Sequence, residues 1–338
     1  MAAAPALWVF YNWVMNIPVK IRRQASRTSA PRFETYTVDC DPKSNTILDV
    51  LNRIQWEQDG SLVFRRNCRN AICGSCAMRV NGRAVLACQK LVVEELEARG
   101  ELVIAPMGNL PVVKDLVVDM TQFWQGVKRV DPYVSTASRQ ISATEYLQTP
   151  EQRTKLEEAA NCILCGACYS ECNSVVGDAN FVGPHALAKA YRVWADNRDD
   201  RTQERIQQYT QPGFVWDCTR CFNCNEVCPV GVQPLDRITQ IKQEILKHSE
   251  LPETTPLRHR HTMVELVKEG GWIDERKFGL KVVSNNGRDV KGLLSLIPLG
   301  LRMLLCGKLP APWRFHPSEG AREVRAVIIA VERARDKT

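Results

Sequence analysis

Twelve of the fourteen cysteines in this chain stand in three tight groups. Cys68, Cys73, Cys76 and Cys88 are spaced C-x4-C-x2-C-x11-C. Cys162, Cys165, Cys168 and Cys172 are spaced C-x2-C-x2-C-x3-C, and Cys218, Cys221, Cys224 and Cys228 repeat that spacing, with Pro229 directly after. Thiols two residues apart are poorly placed to staple distant loops, so the pattern points to metal ligation rather than a disulfide framework. Only Cys40 and Cys306 stand alone, and both are expected to be buried thiols.

The first spacing is the plant-type pattern for a [2Fe–2S] cluster, with three ligands on one loop and the fourth further on. In that loop, RRNCRNAICGSC, Gly74 lets the backbone fold tightly and aim N–H groups at sulfur. Arg65, Arg66 and Arg69 are expected to offset the negative charge of the cluster. The alternative is a structural zinc site, although zinc seldom takes C-x4-C-x2-C with a lone fourth ligand.

The two later runs follow the bacterial ferredoxin pattern, in which the fourth cysteine of each run ligates the other cluster. One [4Fe–4S] cluster is therefore expected on Cys162, Cys165, Cys168 and Cys228. The other is expected on Cys172, Cys218, Cys221 and Cys224. Two zinc ribbons are the alternative, but they need no eight cysteines in swapped order. Asn173 stands where the pattern would place proline after the first of these runs.

These groups need elements to position them. FETYTVD (33–39) alternates as a half-buried strand does, and TILDVLNRIQWEQ (46–58) has helical apolar spacing with Thr46 as its cap. AMRVNGRAVLAC (77–88) is two short apolar runs around Asn81-Gly82, a hairpin signal, and ELVIAP (101–106) is a further strand. Beyond residue 130 strand patterns fade. The stretches 150–160, 184–196 and 234–248 favour helix, and Thr149-Pro150-Glu151 resembles a helix start.

The fold class expected is α+β: an N-terminal β-grasp plant-type [2Fe–2S] ferredoxin domain, an all-α bacterial-type dicluster domain and a helical C-terminal tail. The expected boundaries are 31–130, 131–250 and 251–338. Residues 1–30 are expected to be a leader or a start placed too early, poorly ordered, with the working chain beginning near Met15.

The composition is that of a globular protein, 44% hydrophobic and 25% charged. The formal charge of +7 counts every thiol as neutral. Three oxidised clusters at about −2 each would bring it to roughly +1, so the basic balance argues for no nucleic-acid partner. The stretch KGLLSLIPLGLRMLLCGKLP (291–310) is apolar but short for a membrane span. It suits a lipid interface or an anchor subunit, and equally a cover for the helical core. His259 and His261 read as part of a solvated basic patch. No nucleotide-binding glycine loop and no catalytic Ser/His/Asp order is present, which points to relay and to no catalytic residue on this chain.

The blocks FRRNCRNAICGSCAM, APMGNLPVVKDLVVDM, CILCGACYSEC and FVGPHALAKAYR resemble the iron–sulfur subunit of succinate dehydrogenase and fumarate reductase, over about residues 15–250. The resemblance implies an electron-transfer subunit between the FAD of a flavoprotein and a quinone or other acceptor at the membrane. It implies a membrane anchor or membrane-associated acceptor as partner, and a peripheral position on the cytoplasmic side. In the commonest members the position of Cys221 is not cysteine and the distal cluster is [3Fe–4S]. Here the sulfur is present, so [4Fe–4S] is expected, with [3Fe–4S] as the alternative. This resembles the branch that includes heterodisulfide-reductase-like iron–sulfur subunits. A subunit of such a thiol/disulfide complex, or a stand-alone adaptor ferredoxin, is the alternative function. The family's quinone site has a histidine where Thr219 stands and a tryptophan where NSVVGDANF (173–181) has none.

Overall fold

The structure is a computed structural model that describes residues 14–140, 144–247, 254–308 and 316–335. The chain divides into two units, Met1–Ser249 and Glu250–Thr338.

The first unit begins with strand β1, Met15–Arg23, whose residues Ile17, Val19 and Ile21 are buried in alternation. Poor order was expected over all of 1–30, a leader or a start placed too early; instead Met15, where the working chain was expected to begin, opens a strand, and residues 1–13 lie outside the described residues. Pro18 lies within this strand. It pairs with Thr37 of β2, Arg32–Cys40, while pairing with the other neighbour begins only at Val19. A proline that need not donate to a second strand is tolerated.

The sheet is mixed, in the order β2-β1-β5-β3-β4, with β3 at Ala77–Val80, β4 at Arg83–Leu86 and β5 at Leu102–Ala105. Asn81 and Gly82 both take positive φ, 49° and 82°, which is the two-residue turn whose twist matches that of the flanking strands. Helix α1, Ile47–Arg53, starts on a capping box in which Thr46 and Asp49 satisfy each other's backbone N–H. It ends in a π-helical turn over Ile54–Gln58, where the sequence had read one continuous helix. Ile47, Leu48, Leu51 and Ile54 are buried together with the inward residues of the sheet. Helices α2, Val92–Arg99, and α3, Thr121–Lys128, complete this part. A small ribbon, β6 at Val112–Lys114 and β7 at Val117–Val118, lies between β5 and α3.

The remainder of the first unit is helical. It comprises α4 (Pro150–Ala160), α5 (Ala167–Ser170), α6 (Asn173–Gly177), α7 (Pro184–Trp194), α8 (Thr202–Tyr209), α9 (Asn223–Glu226) and α10 (Pro234–Ile245). The Thr149 start is present as a capping box with Gln152 and with Pro150 in the first turn. Helices α7 and α10 pack together through buried Ala186, Ala190, Leu235, Ile238 and Ile241.

The link between the two halves is held by one buried cation. Arg205 on α8 bonds both oxygens of Asp199, at 2.9 and 3.0 Å, and donates to the carbonyls of Asp131 and Tyr133 at 2.9 and 2.7 Å. Both side chains of the pair are fully buried.

The second unit contains α11 (Thr255–Gly270), α12 (Glu275–Val283), α13 (Val290–Leu305) and α14 (Ala321–Arg335). Helix α11 packs against α12 and α14, burying Leu257, Leu266 and Val282. His259 sits against the ring of Phe278 at 4.8 Å.

Candidate metal centres

The loop between α1 and β3 carries Cys68, Cys73 and Cys76, and the chain after β4 returns Cys88 to it. Arg69, Ala71 and Gly74 take positive φ, 55°, 53° and 70°, which turns successive N–H groups to one side. The result is a set of N–H donations to sulfur. Asn70 and Cys73 donate to Cys68 Sγ at 3.3 and 3.4 Å, Ala71 to Cys88 Sγ at 3.4 Å, and Ser75 to Cys73 Sγ at 3.5 Å. Hydrogen bonds of this kind favour thiolate over thiol. Cys73 is drawn down to about 6, first by its bond from the Ser75 side chain. Burial pushes Cys76 up to about 12.

Two of the three arginines have other duties than the one expected from the sequence. The Arg66 guanidinium lies over Phe64, at 5.1 Å, and Trp56, at 5.8 Å, and donates to Asn52. Arg65 donates to the Met120 sulfur at 3.1 Å. Both hold the loop against its surroundings, while their charge remains near it.

The second and third groups repeat each other in backbone as well as in spacing. Leu164 and Gly166, at φ 55° and 88°, fall at the same places in their run as Arg220 and Phe222, at 58° and 67°, do in theirs. Each run then enters a four-residue helix, α5 or α9, and these two helices pack together. Phe222 is a bulky residue in a left-handed conformation, a strain that persists where the surrounding structure enforces it. The sequence reading missed these four positions. Their signal was the ligand repeat itself, since two runs that wrap equal cages must turn alike.

The packing of α5 on α9 brings the runs together in crossed order. Cys162, Cys165, Cys168 and Cys228 line one small cavity of about 20 Å³ with Ile163, Leu164, Ala188, Val230 and Val232. Val232 N donates to Cys228 Sγ at 3.3 Å. Cys172 lies within electrostatic reach of Cys218 and Cys221, and Cys224 within reach of all three. Burial raises the thiols, Cys165 to about 11, Cys224 to about 12 and Cys168 well above its ordinary value. Four thiols in an apolar cavity suit a thiolate-ligated cluster, and loading them must release protons. Among the described residues, no three His, Cys, Asp or Glu side chains close on a single-ion site.

Residues 18–125 match the 2Fe-2S iron-sulfur cluster binding domain family, and residues 158–232 match the 4Fe-4S dicluster domain family. The chain carries a [2Fe–2S] domain followed by a [4Fe–4S] dicluster domain. A chain of the Mycobacterium smegmatis Sdh1 complex in the apo form has a similar fold, with a TM-score of 0.63 and 23% identity over 71% of this chain and 100% of that one. A hypothetical protein from Helicobacter pylori also matches, with a TM-score of 0.47 and 14% identity over 75% of this chain and 43% of that one.

The [2Fe–2S] domain and the dicluster domain meet at the cysteines themselves. A Cβ on Gly74 would lie 2.7 Å from both Cα and Cβ of Cys165. Around that contact, Arg79 pairs with Glu171 at 3.1 Å, Gly108 N donates to Ser170 Oγ at 2.8 Å, and Asn109 Nδ2 donates to the carbonyls of Tyr169 and Cys172. Ala84, Ala167 and Val227 form a small shared core that Cys165 packs against. On the other side, Cys168 lies within electrostatic reach of Cys224. The three cysteine groups therefore stand in series. Gly74→Ala combines a strained φ with backbone overlap and is expected to cost about 1–3 kcal/mol. A lowered unfolding midpoint with an altered [2Fe–2S] spectrum is the result expected; an unchanged midpoint contradicts this contact.

Of the two isolated cysteines, Cys40 is buried as expected. Cys306 is exposed, because α13 buries no residue, and this corrects the sequence reading. At the end of the series, the Thr219 N–H donates to Ser174 Oγ at 3.1 Å, and the two hydroxyls are 3.3 Å apart.

Proposed function

We propose that this chain is the iron–sulfur subunit of an oxidoreductase of the succinate dehydrogenase and fumarate reductase type, relaying electrons between the FAD of a flavoprotein and a quinone or other acceptor at the membrane. The observation that carries the reading is the serial arrangement, with Gly74 against Cys165 and Cys168 beside Cys224. The four sequence blocks noted above support it, as does the likeness in fold to a chain of the Sdh1 complex.

In this reading Cys68, Cys73, Cys76 and Cys88 hold the [2Fe–2S] cluster on the flavin side. Cys162, Cys165, Cys168 and Cys228 hold the middle [4Fe–4S] cluster, and Cys172, Cys218, Cys221 and Cys224 the distal one. The clusters supply one-electron redox chemistry; the chain supplies ligands, spacing and insulation. Backbone N–H groups at Asn70, Ala71, Cys73, Ser75 and Val232 orient the sulfurs and tune their basicity. Buried Ala188 and Val232, with half-buried Ile163, Leu164 and Val230, surround the Cys162–Cys228 cavity with hydrocarbon. On the acceptor side, Thr219 and Ser174 occupy the region where the family's quinone histidine is expected, so the acceptor is bound by different groups here. Cys221 favours one further reading, a subunit of a heterodisulfide-reductase-like complex.

The deciding experiment is purification of the native complex without oxygen. A co-purifying flavoprotein with succinate–fumarate activity, and clusters reduced by succinate, is the expected result. A thiol-reducing partner with clusters indifferent to succinate rejects the leading reading. Cys221→Ser is expected to cost the distal cluster about one iron and to give a three-iron paramagnetic signal. The same signal dominating in the anaerobic parent chain contradicts a four-iron distal cluster.

A further inference from the structure

Helix α13 has no buried residue, and the one side it covers faces α12. Gly292 meets the Val283 carbonyl, Leu296 approaches Gly279, and both are half-buried, as is Met303. The other side is open. At 100° per residue, Leu293, Leu294, Ile297, Leu301, Leu304 and Leu305 fall within one arc of roughly 120°. Their exposure runs from 38% at Leu293 to 79% at Leu305. Lys291, Ser295 and Arg302 fall together along one border of that arc, in a strip of roughly 40°.

Two features identify what covers the arc. Residues 290–318, between the N-cap Asp289 and Glu319, contain Lys291, Arg302, Lys308 and Arg314 and no Asp or Glu, so both charged side chains of the helix itself are cationic. The arc itself is aliphatic, with no aromatic or hydrogen-bonding side chain among the six. Protein interfaces gain their specificity and most of their energy from Trp, Tyr and Arg anchors, which this arc lacks. An aliphatic face bordered by cations is instead the pattern of a helix lying at a lipid interface, where ammonium and guanidinium groups reach the headgroup phosphates. No helix among the described residues is long and apolar enough to cross a membrane. Pro298 fits the same position. It leaves the Leu294 carbonyl without a helical donor, and at the interface that carbonyl is within reach of water.

We propose that α13 binds in the plane of an anionic lipid surface, with its Leu/Ile arc in the acyl region and Lys291 and Arg302 at the headgroups. The proposal stands apart from the electron-relay reading, because vesicle binding is scored without reference to redox activity.

The test is sedimentation of the full, cluster-loaded chain with two kinds of vesicle. One is phosphatidylcholine alone; the other has a third of its lipid replaced by anionic phosphatidylglycerol. Binding to the anionic vesicles is expected to be at least tenfold stronger and to weaken as salt is raised, since each cation near such a surface is worth roughly fivefold in partition. The double variant Leu294→Glu with Leu301→Glu is expected to lose at least tenfold, with helix content and the visible spectrum unchanged. Leu305→Glu, at the last residue of the helix, gives a second variant that leaves the helix interior untouched and is expected to weaken binding in the same direction. Lys291→Glu with Arg302→Glu is expected to abolish the preference for anionic lipid. A chain that ignores both vesicles, binds both equally, or binds as well with Glu in the arc overturns the proposal. So does a co-purifying protein subunit that shields the arc while vesicle binding is absent, which makes this a protein interface.

Discussion

Cys228→Ser is expected to remove the same cluster as Cys165→Ser, and Cys172→Ser the same cluster as Cys218→Ser. Each substitution should lower the iron content by about four from about ten per chain, unlike Cys221→Ser, because only the position of Cys221 is the one that three-iron clusters of the resembling family leave without a thiolate. The two losses are distinguishable because only one of the clusters adjoins the [2Fe–2S] loop. Gly74 of that loop touches Cys165, so a cluster on Cys162, Cys165, Cys168 and Cys228 is the [2Fe–2S] centre's neighbour. Its removal is expected to slow the spin relaxation of the reduced [2Fe–2S] centre, while removal of the distal cluster leaves that relaxation close to that of the parent chain. If Cys228→Ser instead grouped with Cys218→Ser, the ligands would belong to their own runs and the crossed arrangement would be wrong.

Arg205→Leu is expected to destabilise the first unit by about 3–5 kcal/mol, the usual cost of leaving one partner of a buried ion pair behind. Asp199 would be left in its buried position without its guanidinium partner, and the carbonyls of Asp131 and Tyr133 would each lose a donor. Asp199→Asn in the same background should recover part of the loss, because it removes the stranded charge. Denaturant unfolding of the single and double variants checks both. A single-variant loss below about 1 kcal/mol would place this pair among those worth no more than an exposed one. The pair also carries an organisational role. It fixes residues 131–135 at the junction of the [2Fe–2S] and dicluster domains, with Ser135 N donating to Asp199 at 2.9 Å.

Much of this was legible in the residues, for identifiable reasons. The strand at 33–39, the Asn81-Gly82 hairpin and the Thr149 helix start rest on local rules, alternation, turn chemistry and capping, that tertiary context did not override. β1 was missed because Pro18 and the apolar residues before it masked its alternation, and because its role depends on β5, more than eighty residues later. The π turn after α1 and the buried Arg205–Asp199 pair have no local signature; both are settled by packing. For the centres, cysteine spacing predicts which thiols share a cluster, and Cys162, Cys165, Cys168 and Cys228 line one cavity. It said nothing of the positive-φ residues Leu164, Arg220 and Phe222, since non-glycine residues do not announce a left-handed backbone. It also said nothing of the approach of Gly74 to Cys165, which exists only once the two domains are docked.

The most direct test of the central claim is a count of iron and acid-labile sulfide on chain isolated without oxygen. The account predicts about ten of each per chain, from one [2Fe–2S] and two [4Fe–4S] clusters. Zinc in their place, with no labile sulfide released on acidification, would contradict it.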